Sequence, residues 1–145
     1  MQGHWTLVFF GYTSCPDICP LTMATLGQFS QRLAEETDYG DDTKVVMVSV
    51  DTERDTVEQL ANYVTFFNSD YTGVTGEYIQ IFNFARQLNV AFNYLPAGNE
   101  GEYDVSHSGE IALINPNGHF HGFFKHPPEP EQMVLTYSSV RKAFD

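Results

Sequence analysis

Trp5-Thr6-Leu7-Val8-Phe9-Phe10 is an almost unbroken apolar run ended by Gly11, the pattern of a strand buried on both faces in a sheet covered by helices. A loop holding both cysteines follows, and Pro20 stands where a first helical residue would, since its missing N–H is of no consequence there. Leu26, Phe29 and Leu33 then predict a helix to about Glu36, closed by the polar stretch 38–43, and KVVMVSV over 44–50 predicts a second buried strand. Asp55 and Glu58 have capping-box spacing, and Val57, Leu60, Ala61 and Val64 repeat at helical intervals, so a second helix is expected to about Phe67. Tyr78, Ile81, Phe82 and Ala85 predict a third helix, with a short strand to follow over 90–95 and an exposed loop over 98–101. Two strands, 110–114 and 120–124, flank Asn115-Pro116-Asn117-Gly118, whose Asn-Gly is a hairpin signal. After the Pro127-Pro128 break, Met133, Tyr137, Val140 and Phe144 predict a closing helix.

The expected order is therefore β-α-β-α-α-β, a β-hairpin and a helix. Right-handed crossovers leave few ways to fold that order, and the one it matches is an α/β, thioredoxin-like fold with a central mixed sheet flanked by helices. With 145 residues and no internal repeat, the chain is expected to form a single domain over 1–145. A chain of this size buries roughly two-thirds of its unfolded surface and needs no disulfide or metal merely to fold, so the two cysteines call for a chemical explanation.

Charge narrows the function classes. Lys+Arg of 7 against Asp+Glu of 19 leaves a formal charge of −12, which repels phosphate backbones and anionic headgroups, so nucleic acid is not an expected partner. No stretch reaches the ~18 apolar residues of a membrane span, and Met1-Gln2-Gly3-His4 lacks the basic flank and apolar centre of a signal peptide. The chain enters its first strand almost at once, which reads as a fragment cut at a domain edge with any anchor or export signal upstream.

The segment Cys15-Pro16-Asp17-Ile18-Cys19-Pro20 joins the C-terminal end of the first strand to the first helix, the usual place for a site in an open α/β sheet. A helix N-terminus carries about half a positive charge, which favours the thiolate that attacks disulfides or ligates metal. Inert core thiols fit poorly beside Pro, Asp and Ser, and a purely structural disulfide closing so short a loop would stabilise little. Thioredoxin-type redox motifs have two residues between the cysteines and this chain has three. The wider spacing suits two thiolates turned toward a soft ion such as Cu(I), whereas structural zinc wants four ligands and there is no second cysteine pair.

Five histidines compete to complete the set, and the expected topology separates them. His4 precedes the first strand and His119 follows the Asn-Gly turn, which puts both at the end of the sheet away from the cysteines; His121 lies mid-strand on an expected edge, as a solvated side chain. His107, just before the 110–114 strand, enters at the cysteine end, and His126 leaves the second hairpin strand at that end but one strand further out. His107 is the favoured ligand and His126 the alternative. Two thiolates and an imidazole form a trigonal set that accommodates either Cu(I) or Cu(II).

The segment from Phe10 to Pro20 (FGYTSCPDICP), with Val48-Ser49-Val50-Asp51-Thr52-Glu53-Arg54-Asp55-Thr56 and Gly73-Val74-Thr75-Gly76, resembles the Sco/SenC family of copper-binding assembly factors for cytochrome c oxidase. The resemblance spans nearly the whole chain. It implies a thioredoxin fold, copper held by Cys15, Cys19 and His107, and delivery to, or thiol reduction of, the binuclear copper site in the copper-site subunit of the oxidase. It also implies a membrane anchor outside this sequence, on the periplasmic face of a bacterial inner membrane or in the mitochondrial intermembrane space. Three departures stand out: Ser14 where members usually have histidine, Ser106 where an acidic residue usually precedes the ligand histidine, and neither the anchor nor the N-terminal strand pair. Loss of an outer carboxylate commonly changes metal affinity by about 10–100-fold, and a missing strand pair would bare a sheet edge to self-association.

A metallochaperone and a thiol–disulfide oxidoreductase would use the same residues, Cys15 and Cys19 being the redox pair in the second. Thioredoxin-like reductases place a cis-proline beside the cysteines; here the stretch is Val105-Ser106-His107-Ser108-Gly109, without proline, which favours the metal. A peroxidase is a weaker third reading, because no Pro-x-x-x-Thr-x-x-Cys pattern precedes Cys15.

Overall fold

The computed structural model describes residues 3–13, 18–51, 55–88, 92–96, 103–107, 111–124 and 129–144, and of residues 18, 19, 78, 92–96 and 103–107 the backbone alone. The elements in chain order are β1 (Trp5–Gly11), α1 (Ile18–Glu36), β2 (Thr43–Ser49), α2 (Val57–Phe67), β3 (Thr72–Val74), α3 (Tyr78–Gln87), β4 (Phe92–Pro96), β5 (Tyr103–His107), β6 (Ile111–Ile114), β7 (Phe120–Phe124) and α4 (Pro130–Phe144). A five-stranded sheet has the order β3-β2-β1-β6-β7, and β4 and β5 form a separate antiparallel pair. The β1, β2 and β3 strands run parallel to one another, β6 runs antiparallel to β1 and β7 antiparallel to β6, which is the mixed sheet of a thioredoxin-like fold.

The apolar run is the sheet's centre: every residue of β1 is buried, with β2 on one side and β6 on the other. Alternation along the strand sends Trp5 toward α4, where its ring meets Tyr137 at 6.0 Å, and Phe10 to the opposite face, where it meets Phe84 of α3 at 5.8 Å. Phe29 of α1 packs edge-on against Tyr137, so α1 and α4 close one face together. Each such fully buried side chain stabilises the fold by about 1.5–3 kcal/mol relative to exposure.

Several local readings need correction. α1 starts two residues before Pro20; proline is still harmless there, because the first four N–H groups of a helix have no internal acceptor. The capping box of α2 is Thr56 with Gln59, in which each side chain accepts the other's backbone N–H, and not Asp55 with Glu58, because the Asp55 carboxylate is engaged elsewhere. In α2 Leu60 and Val64 are buried, whereas Val57 and Ala61 are exposed. The closing helix buries Met133 and Tyr137 but leaves Phe144 40% exposed, while Arg141, a charged residue outside the apolar pattern, is buried. Both β3 and β5 are strands beyond the expected order, and the 90–95 strand is β4, Phe92–Pro96.

Long-range polar contacts hold the far end of the sheet. Arg141 donates to both carboxylate oxygens of Asp42 (2.9 and 2.6 Å), its guanidinium lies 4.4 Å from the Tyr39 ring centroid, and it donates to the Tyr137 hydroxyl at 3.2 Å. Burial works against its charge, but these bonds to Asp42 and Tyr137 outweigh that and raise its pKa. Tyr71, just before β3, donates to the Leu26 carbonyl at 2.6 Å and pairs with Ser30, tying β3 to α1. The Asn-Gly turn forms as expected: the Asn115 side chain accepts the N–H groups of Asn117 and His119, and Gly118 takes φ 81, which glycine adopts freely.

Candidate metal and thiol site

The three parallel strands end together. Gly11 pairs with Ser49 and Val48 with Val74, and the Val50 N–H extends the β1–β2 ladder to the Gly11 carbonyl at 2.9 Å. Open α/β sheets bind their ligands outside this carboxyl edge. Cys15 follows β1 by four residues of sequence and lies outside the described residues, as do Ser14 and His126; Cys19 is the second residue of α1 and occupies its first turn.

A buried carboxylate organises this edge. Asp55 is 5% exposed, and its Oδ2 accepts the backbone N–H of Thr13 (3.0 Å) and the hydroxyl of Ser49 (2.8 Å), while its Oδ1 accepts the Thr13 hydroxyl. Ser49 in turn accepts the Asp51 N–H at 3.1 Å, and the Asp55 N–H bonds the Asp51 carbonyl at 3.0 Å. The end of β1, the end of β2 and the approach to α2 are thereby joined just before the cysteine segment. Sequence reading took Asp55 for a helix cap; Thr13 and Ser49 lay inside the motif segments and carried no role.

Four of the five histidines, His4, His107, His119 and His121, lie among the described residues. Thr6 pairs with Ile114 and Phe9 with Ile111, so the chain enters β6 from the cysteine end of the sheet, and His107 lies four residues before that entry. His107 ends β5, opposite Phe92, with Ser106 opposite Asn93. His4 and the turn bearing His119 sit at the other end, where the Gly3 N–H donates to the Pro116 carbonyl at 2.9 Å. His121, on edge strand β7, is exposed but not merely solvated: its ring stands edge-on to Trp5 at 5.1 Å and to Phe144 at 5.8 Å. Among the described residues no three His, Cys, Asp or Glu side chains converge as a metal cluster. Among them also, no helix is long and apolar enough to cross a membrane.

The chain is thus a thioredoxin-like domain whose central strand leads through a Cys-x-x-x-Cys segment into the first turn of α1, with a histidine ahead of the antiparallel strand beside it. Residues 1–141 match the SCO1/SenC family model, and the chain belongs to that family. It is 36% identical to the mitochondrial SCO2 homolog of Mus musculus over 141 residues, 97% of this chain and 54% of that protein. It thus spans about half the length of that curated relative. Among solved structures it resembles copper-bound ScoI of Arabidopsis thaliana (TM-score 0.88, 31% identity, 97% of this chain and 86% of that one). It resembles copper-bound yeast Sco1 similarly (TM-score 0.87, 27% identity, 97% and 77%).

Proposed function

We propose that this chain binds one copper ion through the thiolates of Cys15 and Cys19 and the imidazole of His107, and passes it to the binuclear copper site of a cytochrome c oxidase subunit. The observation that carries this reading is the placement of Cys19 in the first turn of α1 with His107 at the end of β5, four residues before β6 enters beside the central strand from the cysteine end. The positive end of α1 favours thiolate over thiol, and two thiolates with one imidazole match the preference of copper for soft ligands. The copper-bound relatives support the same cargo. The setting that suits this role is the periplasmic face of a bacterial inner membrane or the mitochondrial intermembrane space.

Anaerobic Cu(I) titration, with absorption spectra of the Cu(II) form, tests the assignment on wild type, Cys15→Ser, Cys19→Ser and His107→Ala. One copper per wild-type chain is expected, no tight binding in either serine variant, and weaker binding with altered thiolate charge transfer in His107→Ala. Full copper retention in either serine variant overturns the site. A wild type that takes up no copper but exchanges its thiols with a disulfide partner favours the oxidoreductase instead. In that reaction the two thiols give two electrons and two protons to the partner's disulfide and close their own.

A further inference from the structure

We propose that Asp55 is the positioning residue of the cysteine segment: its carboxylate, bonded to Thr13 and Ser49, sets where Cys15 stands relative to Cys19, and so sets both the thiol–disulfide equilibrium and the copper affinity of the pair. The copper half rests on the function proposed above; the thiol–disulfide half does not.

Asp55 immediately precedes the N-cap of α2, but the capping box of that helix is made by Thr56 and Gln59. It reaches instead across 42 positions to Thr13 and takes both the backbone N–H and the hydroxyl of that one residue. Holding both groups fixes the main chain at Thr13 as well as its side chain. The Ser49 bond locks the carboxylate to the end of β2, the strand paired with β1, so the anchor is built on the sheet rather than on a loop. On the far side, α1 holds Cys19 from Ile18 onward. Only residues 14–17 separate the two anchors.

A tether that short transmits displacement. A disulfide wants Cα atoms about 4.4–6.8 Å apart, and thiolate–metal bonds tolerate only a few tenths of an ångström, so releasing Thr13 changes how readily Cys15 meets its partner sulfur or the metal. Ordering the residues of a freed segment also costs conformational entropy at the moment of ligation, which an anchored segment has already met in folding. Hydrogen bonds to a charged acceptor are stronger than those between neutral groups, which suits them to this role.

The conservative variant separates positioning from charge. In Asp55→Asn the amide oxygen can accept from Thr13 N–H and Ser49 while the amide nitrogen donates to the Thr13 hydroxyl, so the bonds survive and the charge does not. The experiment measures the Cys15–Cys19 disulfide equilibrium against glutathione without metal, and Cu(I) affinity by competition. It uses wild type, Asp55→Ala, Asp55→Asn and Asp42→Ala, the last a control that loses stability at the opposite end of the sheet. Asp55→Ala is expected to shift both equilibria at least tenfold, Asp55→Asn to stay within threefold of wild type, and Asp42→Ala to leave both within twofold. The proposal is overturned if Asp55→Ala stays within threefold, if Asp55→Asn shifts as far as Asp55→Ala, or if Asp42→Ala shifts as far. Should Asp55→Ala not fold, Thr13→Val decides: it removes one donor and keeps the shape, and a disulfide shift below twofold overturns the proposal. If the wild type binds no copper, the function proposed above falls and the glutathione measurement still judges Asp55.

Discussion

Gly73, the middle residue of β3, lies directly against Leu60 of α2, and replacing it with alanine should destabilise the protein. A Cβ there would lie 2.8 Å from the Leu60 Cβ and 3.2 Å from the Leu60 carbonyl carbon and oxygen. Carbon atoms rest at about 3.5–4.0 Å, so α2 would have to lift by several tenths of an ångström. Leu60 is fully buried and its backbone is part of a helix, so neither can yield as a flexible side chain would. Overpacking of this kind costs about 1–3 kcal/mol, and the stiffer unfolded chain returns about 0.4–1 kcal/mol, which leaves a net loss of about 1–2 kcal/mol. For a chain near 150 residues that lowers the Tm by about 3–8 °C. Gly27 makes the contrast: it lies inside α1, its added Cβ would meet only the Phe67 carbonyl oxygen at 3.4 Å, and alanine is the better helix former by about 0.5–1 kcal/mol. Urea unfolding followed by circular dichroism should therefore show Gly73→Ala destabilised and Gly27→Ala unchanged or stabilised, with similar slopes. A Gly73→Ala protein as stable as wild type, or two variants moving in the same direction, would refute the packing argument.

Other expectations follow from burial and charge. Burial pushes the Tyr71 hydroxyl up to about 12 against the smaller opposing effect of its bond to Ser30, and burial also raises Tyr137. The folded state therefore holds the Tyr71 proton more tightly than the unfolded chain, and its stabilising effect, fully present below pH 10, is lost as pH climbs through 12, by roughly 2–3 kcal/mol. Alkaline denaturation of Tyr71→Phe should be shallower over that window, and an identical pH profile would count against it. Asp42→Ala strands the guanidinium of Arg141, whose side chain is 7% exposed; because Asp42 itself is 49% exposed, the loss should fall somewhat below the ~3–5 kcal/mol of a fully buried pair in chemical denaturation. Oxidation of Cys15 and Cys19 to a disulfide should block copper loading until reductant is added, and normal stoichiometry in the oxidised protein would contradict the shared-thiol reading.

What the sequence determined by itself was whatever a short window encodes. The apolar run of β1 specifies a central strand wherever it is placed, because its residues have no stable place except inside. The helical repeats, the Asn-Gly turn and the Cys-x-x-x-Cys spacing are likewise local, so the fold class and, apart from β3 and β5, the element order were legible, and Cys15, Cys19 and His107 stood out as candidate ligands. Tertiary structure decided what depends on partners far along the chain. Thr72-Gly73-Val74 has neither length nor alternation to mark a strand; it is one because it completes the ladder to Val46-Met47-Val48 and because glycine lets Leu60 approach. Tyr103–His107 is assigned to no element from the sequence and is a strand because Phe92–Pro96 pairs with it. Arg141 is buried against the helix pattern because Asp42, 99 positions away, supplies its counter-charge. Asp55 has cap spacing in sequence, but a carboxylate bonds the donors that folding brings to it, and those belong to Thr13, just past β1, and Ser49, at the end of β2, which meet beside it only once the sheet is assembled.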